Sequence, residues 1–291
     1  QPPQEGDFIS PHKAARTVPF FARKRALTAR NYLFAATQED VALTRLLATA
    51  ASVTGFMSGA PGGALPGWHV LGQDNTALLR TFYARLEQTY PHAGQPFYAV
   101  RLWTNLMWQP AYLAAIAVHA HGAVPELSRM AQKTSGNDIN GFRLPPGPQY
   151  SAGLESLIRR AGADLRIMAD RVLAEINTVT KLKRVPALRL LTDRMLGIGL
   201  RLGKFQPGLS IAEQHRLCRL WLEAMGLTGQ GDLEVLDLHD GRQVLISARK
   251  GCCLDYLAFP GTYCASCPKQ DDTLRLDRQR RDAIAELDAA S

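Results

Sequence analysis

The chain has 291 residues, of which 46% are hydrophobic and 21% are charged. This composition is typical of a globular protein with a sizeable core, and it excludes collagen-like, mucin-like and disordered chains. Lysine and arginine outnumber aspartate and glutamate by 34 to 26, and the net charge of +8 favours an acidic partner. The most apolar run, residues 111–120, is too short to cross a bilayer. Because the first residues also lack the pattern of a secretory signal, the sequence predicts a cytoplasmic protein.

The apolar pattern predicts mostly helices along the first three quarters of the chain. Residues 1–36 are rich in proline and basic residues, and we expect them to form an arm over a helical body at 37–230. Helical spacing of apolar residues predicts helices at 37–53, 75–90, 97–109, 111–120, 154–179 and 186–202. The segments 97–109 and 111–120 form one kinked helix or two, since Pro110 separates them. Turn-forming residues predict loops at 58–67 and 134–148.

The remaining part of the chain begins with a clear helix start and then changes its period. Ser210 and Glu213 form a capping box, and Gly226 ends the helix that it opens. Alternating residues at 233–238 and 243–247 predict two strands of a hairpin. The second strand runs directly into a group of cysteines, so 231–270 forms a hairpin with a cysteine motif. Residues 271–291 predict a charged, solvated helix. The fold class is therefore α+β, predominantly helical, with a helical body and a small β-hairpin.

Four of the five cysteines lie within sixteen residues, and this cluster is the strongest functional signal in the sequence. Cys252, Cys253, Cys264 and Cys267 have the spacing C-C-x10-C-x2-C. A disulfide-stapled secreted protein would spread its cysteines along the chain, so clustered thiols indicate a metal site. Cys218 lies apart on an apolar helix face and is predicted to be a core thiol.

The adjacent pair of cysteines makes a demand on the backbone. Neighbouring side chains of a strand point to opposite faces, so Cys252 and Cys253 can face one centre only where the chain breaks. We expect Gly251 to permit this break and Pro260-Gly261 to turn the two halves of the motif together. Four thiolates suit either tetrahedral zinc or a [2Fe–2S] cluster.

The cysteine motif resembles the signature of FhuF-type ferric-siderophore reductases. Residues 101–120 and 174–196 are also similar to the helical body of these proteins, which in turn is similar to the C-terminal region of some siderophore synthetases. The resemblance implies that Cys252, Cys253, Cys264 and Cys267 hold one [2Fe–2S] cluster. It also implies an oxidoreductase in iron assimilation that passes one electron to Fe(III) in a siderophore. Hard oxygen donors hold the softer Fe(II) less tightly, so one electron releases the iron.

Other features indicate where the substrate and the electron donor bind. The chain has no GxGxxG motif for a nicotinamide or flavin of its own, so we expect electrons from a ferredoxin or flavodoxin-type protein. Residues 181–204 carry seven basic residues and one acid, which form either a solvated helix face or a platform for an anionic chelate or acidic donor. The ferric siderophore is expected to bind near Arg101, Lys181, Lys183, Arg184 and Tyr256. Arg249 and Lys250 are expected to balance the charge of the four thiolates.

Two alternatives of a different class stay open from the sequence. One is a zinc-stapled binding protein whose basic surface contacts nucleic acid. For a siderophore reductase, in contrast, no nucleic-acid partner is expected. The other is an iron–sulfur sensor without turnover. Peripheral contact with the inner membrane also stays open for a cytoplasmic reductase. A red-brown protein with iron and acid-labile sulfide would exclude zinc, and only a reduction assay separates a reductase from a sensor.

Overall fold

A computed structural model describes residues 38–206 and 208–290, and the arm predicted at 1–36 lies outside them. The helices are α1 (Gln38–Thr54), α2 (Thr76–Thr89), α3 (Gly94–Ile116), α4 (Leu154–Ile176), α5 (Arg184–Gly199), α6 (Leu202–Phe205), α7 (Ile211–Ala224), α8 (Asp255–Ala258) and α9 (Asp272–Ala290). The strands are β1 (Gly59–Pro61), β2 (His69–Val70), β3 (Ala131–Ser135), β4 (Asp138–Leu144), β5 (Asp232–Asp237) and β6 (Gln243–Ala248). This is the α+β, predominantly helical fold that the sequence predicts.

Helix α3 is the centre of the main hydrophobic core, since most of its side chains are apolar and buried. It continues through Pro110 as a single helix. Proline lacks an N–H group, so the carbonyl of Leu106 one turn earlier loses its helical partner. The side chain of Gln132 replaces it, because its Nε2 donates to Leu106 O at 3.1 Å. A short π-helix, Ala117–His121, follows, and the left-handed Gly122 (φ 80°) ends it.

Helices α4 and α5 pack against α3 and against each other, and α7 packs against α4 and α5. A Cβ on Gly162 of α4 would lie 2.5 Å from Cβ of Ala224 in α7, so glycine allows the close approach of these two helices. Cys218 of α7 is buried against Gly199 at the end of α5, which confirms it as a core thiol. Burial raises its pKa to about 12, so it remains a neutral thiol. None of the helices within the described ranges has the length and hydropathy needed to cross a membrane.

The predicted loop at 134–148 is wrong, because most of it is β-structure. Strands β3 and β4 form an antiparallel hairpin around a tight turn at Gly136 (φ 60°) and Asn137. The polar, turn-forming residues therefore belong to a two-residue hairpin turn rather than to a long loop. The other predicted loop, 58–67, contains β1, which pairs in parallel with β4. Strand β2, which follows this loop, pairs with β3. The resulting order is β1-β4-β3-β2.

Strands β5 and β6 form the predicted hairpin, with Leu233 opposite Ser247. Its buried residues Leu236, Leu238 and Ile246 pack against Leu276, Ile284 and other apolar residues of α9 and form a second, smaller core. The prediction of a solvated terminal helix is therefore wrong for one face of α9. Charged residues occupy the other positions of the helix, and the spacing of its few apolar residues was too sparse to reveal that contact.

Candidate metal centre

The four clustered cysteines lie on either side of the short helix α8 and come together. The thiol of Cys253 hydrogen-bonds to that of Cys264, Cys264 interacts with Cys267, and Cys267 interacts with Cys252. Cys267 is buried and the other three are half-buried. All four are free thiols. The contacts therefore form a chain that runs Cys253, Cys264, Cys267, Cys252, close to the protein surface.

The donor set decides which group could bind there. No three or more His, Cys, Asp or Glu side chains in 38–206 and 208–290 are arranged to hold a metal ion. Four thiols in one chain of contacts are nevertheless the donor set of a [2Fe–2S] cluster, in which two irons share four thiolates, and also that of a tetrahedral zinc ion. The residues present thus fit such a cluster by their chemistry.

The thiols differ in how readily they ionise. A hydrogen bond from Cys253 lowers the pKa of Cys264, burial opposes this shift, and the positive charge of Arg249 adds to it. The hydrogen bond to Cys264 and burial raise the pKa of Cys253. Burial also raises the pKa of Cys267. Since thiolates are the metal-binding form of cysteine, the lowered pKa favours Cys264 as a ligand.

Asp193 and Arg249 connect this segment to helix α5. The Oδ2 atom of the buried Asp193 accepts hydrogen bonds from Arg249 Nε at 3.2 Å and from Gly251 N at 2.9 Å. Arg249 Nη1 in turn lies 3.3 Å from Cys264 Sγ and 3.4 Å from Ser266 Oγ. One carboxylate thus holds the start of the segment and the guanidinium that faces the sulfur. Arg249 is placed as predicted, whereas Lys250 is exposed and donates to Gly229 O at 3.0 Å.

Gly251 is required for a reason other than the predicted one. A Cβ at this position would lie 2.8 Å from Asp193 Oδ2 and 2.9 Å from Leu190 N, so the absence of a side chain allows the backbone to lie against α5. The change in chain direction occurs at Leu254, whose φ of 61° is the one positive value among the non-glycine residues described. Such a conformation costs a residue with a Cβ about 1–2 kcal/mol. The strain occurs directly after Cys253, where the chain enters α8.

Residues 255–263, called the cover below, follow Cys253 and contact α3 through α8. Asp255 Oδ1 of α8 pairs with Arg101 Nη2 at 3.0 Å. Phe259 packs edge-on against Tyr90, with ring centroids 5.7 Å apart, and Tyr256 stacks on Tyr263 at 5.5 Å. Phe259 is therefore held against the helical body, whereas Tyr256 and Tyr263 hold each other, and both Phe259 and Tyr263 stay 39% exposed.

The five predicted substrate-binding residues separate into two groups. Tyr256 belongs to the cover beside the cysteines, and Arg101 pairs with the cover. Lys181 and Lys183 are exposed at the start of α5, and Arg184 pairs with Asp170 of α4 at 2.9 Å. Their roles in binding stay predictions. Sequence reasoning missed Asp193, although it is the one acid among seven basic residues at 181–204 and this isolation was a usable signal.

No family model matches the chain, and no solved structure matches it. The cysteine motif and the contacts described above are therefore the basis for a function.

Proposed function

We propose that this protein is an FhuF-type ferric-siderophore reductase, an iron–sulfur oxidoreductase that passes one electron to Fe(III) in a siderophore complex. The observation that supports it is the chain of contacts among Cys252, Cys253, Cys264 and Cys267. These residues would hold a [2Fe–2S] cluster, which supplies reversible one-electron chemistry when bound. The released Fe(II) would then enter iron assimilation in the cytoplasm.

Groups around the thiols suit them for this role. Arg249 donates to Cys264 Sγ and offsets part of the negative charge that four thiolates carry. The hydrogen bond to Cys264 raises the pKa of Cys253 and burial raises that of Cys267, whereas the backbone amides of Asp255 and Lys269 oppose these shifts. Three of the four cysteines are only half-buried, so a chelate too large for a closed pocket could receive an electron at the surface.

The electrons would come from an external protein such as a ferredoxin or a flavodoxin-type donor. A chain with net charge +8 attracts an acidic redox partner, and such electrostatic steering weakens as salt is added. We expect the rate of cluster reduction by such a donor, measured by stopped flow, to fall as the ionic strength rises.

Single Cys→Ser variants test the proposal. We expect Cys252→Ser, Cys253→Ser, Cys264→Ser and Cys267→Ser each to lose the visible absorption and the iron and sulfide of the parent. Cys218→Ser is the matched control and should keep all three, because Cys218 is a buried core thiol. A full iron complement in Cys264→Ser would contradict the assignment of the ligands. A colourless, zinc-loaded parent would favour the zinc-stapled alternative, and an iron–sulfur parent that reduces no ferric chelate would favour a sensor.

A further inference from the structure

A second group of charged side chains lies between α3 and α5, outside the cysteine segment. Arg201 Nη1 donates to the hydroxyl of Tyr112 at 2.9 Å, and Arg194 hydrogen-bonds to the same hydroxyl. Burial lowers the pKa of Arg194, the tyrosine opposes this shift, and the positive charges of Arg249 and Arg201 add to it. The guanidinium groups of the half-buried Arg194 and the exposed Arg201 therefore meet at one neutral oxygen.

Neither arginine has an acidic partner among the residues that the structure describes. The ion pairs of these residues include neither Arg194 nor Arg201, and the adjacent Asp193 is used by Arg249 and Gly251. For the half-buried Arg194, the lack of an anion within the described part of the chain is unfavourable, because the guanidinium has lost water without gaining one of these anions in exchange. The planar guanidinium fork matches a carboxylate with two parallel hydrogen bonds. The pair Arg194 and Arg201 thus has the chemistry of a carboxylate site.

Aromatic side chains form a wall beside this pair. Phe56 contacts Tyr112 edge-on, with ring centroids 5.3 Å apart, and also lies 5.7 Å from the ring of Trp108. Phe56 is 45% exposed, so the wall is open to solvent. The wall and the two arginines together offer an apolar surface with a cationic end.

The position of the group relates it to the cysteines. Arg194 is close enough to Arg249 for their charges to repel, and Arg249 Nη1 lies 3.3 Å from Cys264 Sγ. A ligand held by Arg194 would therefore lie next to the sulfur-facing guanidinium, on the α5 side of the cysteine segment. The cover lies elsewhere, beside Arg101 of α3, with which Asp255 of α8 pairs.

We propose that Arg194, Arg201 and Tyr112 bind the carboxylate end of an anionic ferric chelate, with Phe56 and Trp108 against its hydrocarbon part. The inference rests on the proposed function, which supplies the reason to expect iron in the ligand. It names the substrate class as ferric chelates that carry free carboxylates, in contrast to uncharged chelates. The site lies further along α5 than the exposed residues at 181–184.

Tryptophan fluorescence titrations test the site without any electron transfer. The probes are Ga(III) citrate, which is anionic and is not reduced, the uncharged Ga(III) tris(acetohydroxamate), and citrate alone. We expect the dissociation constant for Ga(III) citrate to rise about tenfold or more, about 1.4 kcal/mol, in Arg194→Gln and in Arg201→Gln, since each variant loses a charge-assisted hydrogen bond to the carboxylate. Tyr112→Phe should weaken binding less. Arg80→Gln, which removes one exposed charge from α2, should leave the constant unchanged.

The outcomes separate this inference from the proposed function. Unchanged Ga(III) citrate affinity in Arg201→Gln, an exposed position that should fold even if Arg194→Gln does not, would overturn it. Equal weakening for the uncharged complex would also overturn it, and so would citrate that binds alone as tightly as its gallium complex. Arginine-dependent binding of Ga(III) citrate by a protein that fails to reduce Fe(III) citrate would support the site and overturn the reductase function alone.

Discussion

Replacing Gly251 with alanine tests the contact that joins the cysteine segment to helix α5. The new Cβ would lie 2.8 Å from Asp193 Oδ2, 2.9 Å from Leu190 N and 3.0 Å from the carbonyl carbon of Arg189. Two of these atoms belong to the backbone of a buried helix, so they cannot move without disturbing α5. The segment itself must shift, and the bond from Gly251 N to Asp193 is then stretched or lost.

The expected loss of stability follows from these two effects. Overpacking of a well-packed site costs about 1–3 kcal/mol. A buried hydrogen bond left unmade costs about 1–3 kcal/mol more. We therefore expect the free energy of unfolding of Gly251→Ala to fall by about 2–6 kcal/mol, measured from urea unfolding curves followed by circular dichroism.

A second glycine provides a control of opposite sign. Gly197 lies inside α5, and no atom lies within 4 Å of a Cβ built on it. Alanine in place of a helical glycine stabilises by about 0.5–1 kcal/mol, so Gly197→Ala should be slightly more stable than the parent. If Gly251→Ala unfolds within about 0.5 kcal/mol of the parent, a spread that ordinary surface substitutions show, the close approach to α5 has no energetic weight and the reasoning is refuted.

Two further predictions concern charge. Arg249→Gln should lower the reduction potential of the proposed [2Fe–2S] cluster, because the reduced form loses the positive charge that faces Cys264. A shift of about 60 mV corresponds to about 1.4 kcal/mol for a one-electron couple. A redox titration followed by electron paramagnetic resonance measures this, and an equal shift in Lys250→Gln, which removes an exposed neighbour, would contradict the role of the sulfur contact. Burial lowers the pKa of His119 from 6.5 to about 4. Between pH 6.5 and 4 the unfolded chain therefore takes up a proton at this histidine that the folded chain does not. The free energy of unfolding should fall by up to about 3 kcal/mol over this range. His119→Gln, which can still accept from Trp221 Nε1 as His119 does at 2.9 Å, should remove this decrease, whereas a similar decrease in both His119→Gln and the exposed-site variant His92→Gln would show that other groups cause it.

Local signals in the sequence predicted the elements that support the candidate site. The N-cap half of the predicted capping box is confirmed, because Ser210 Oγ accepts a hydrogen bond from Glu213 N at 3.1 Å, whereas the Glu213 carboxylate pairs with Arg216. The hairpin of β5 and β6 follows from residues that alternate with period two around a turn. The spacing of the four cysteines indicated that they converge, and it did so without any knowledge of distant contacts.

Long-range contacts explain what the sequence did not predict. Strand β3 is short and mostly polar, and the places of β3 and β4 in the sheet depend on pairing with β1 and β2 from far along the chain. Long-range contacts also decide the roles of the basic residues at 181–204. Arg184 points to Asp170 of α4, Asp193 accepts from Gly251, and Arg194 reaches Tyr112 of α3. A helix distributes successive charges over all of its faces, so their number alone did not separate exposed from buried ones.

The backbone at Leu254 shows a third limit. Leucine is seldom found at positive φ, so no propensity rule would place a left-handed residue there. The sequence pattern predicts the chain break at Gly251 instead, because glycine is the usual residue at a positive φ. In this chain the surroundings impose the conformation, since Leu254 packs against the main core.

The two cysteine pairs are attached to different cooperative parts of the molecule. The first pair follows Gly251, which Asp193 ties to the main core, whereas the second precedes Gln270, whose Oε1 accepts from Arg278 of α9 at 2.6 Å. Helix α9 and the hairpin share their own small core, and units of this size open more often than a large core does. Opening of that unit would draw the two pairs apart. A group that binds all four sulfurs therefore couples the two units, and its binding energy adds to the protection of the C-terminal amides against hydrogen exchange.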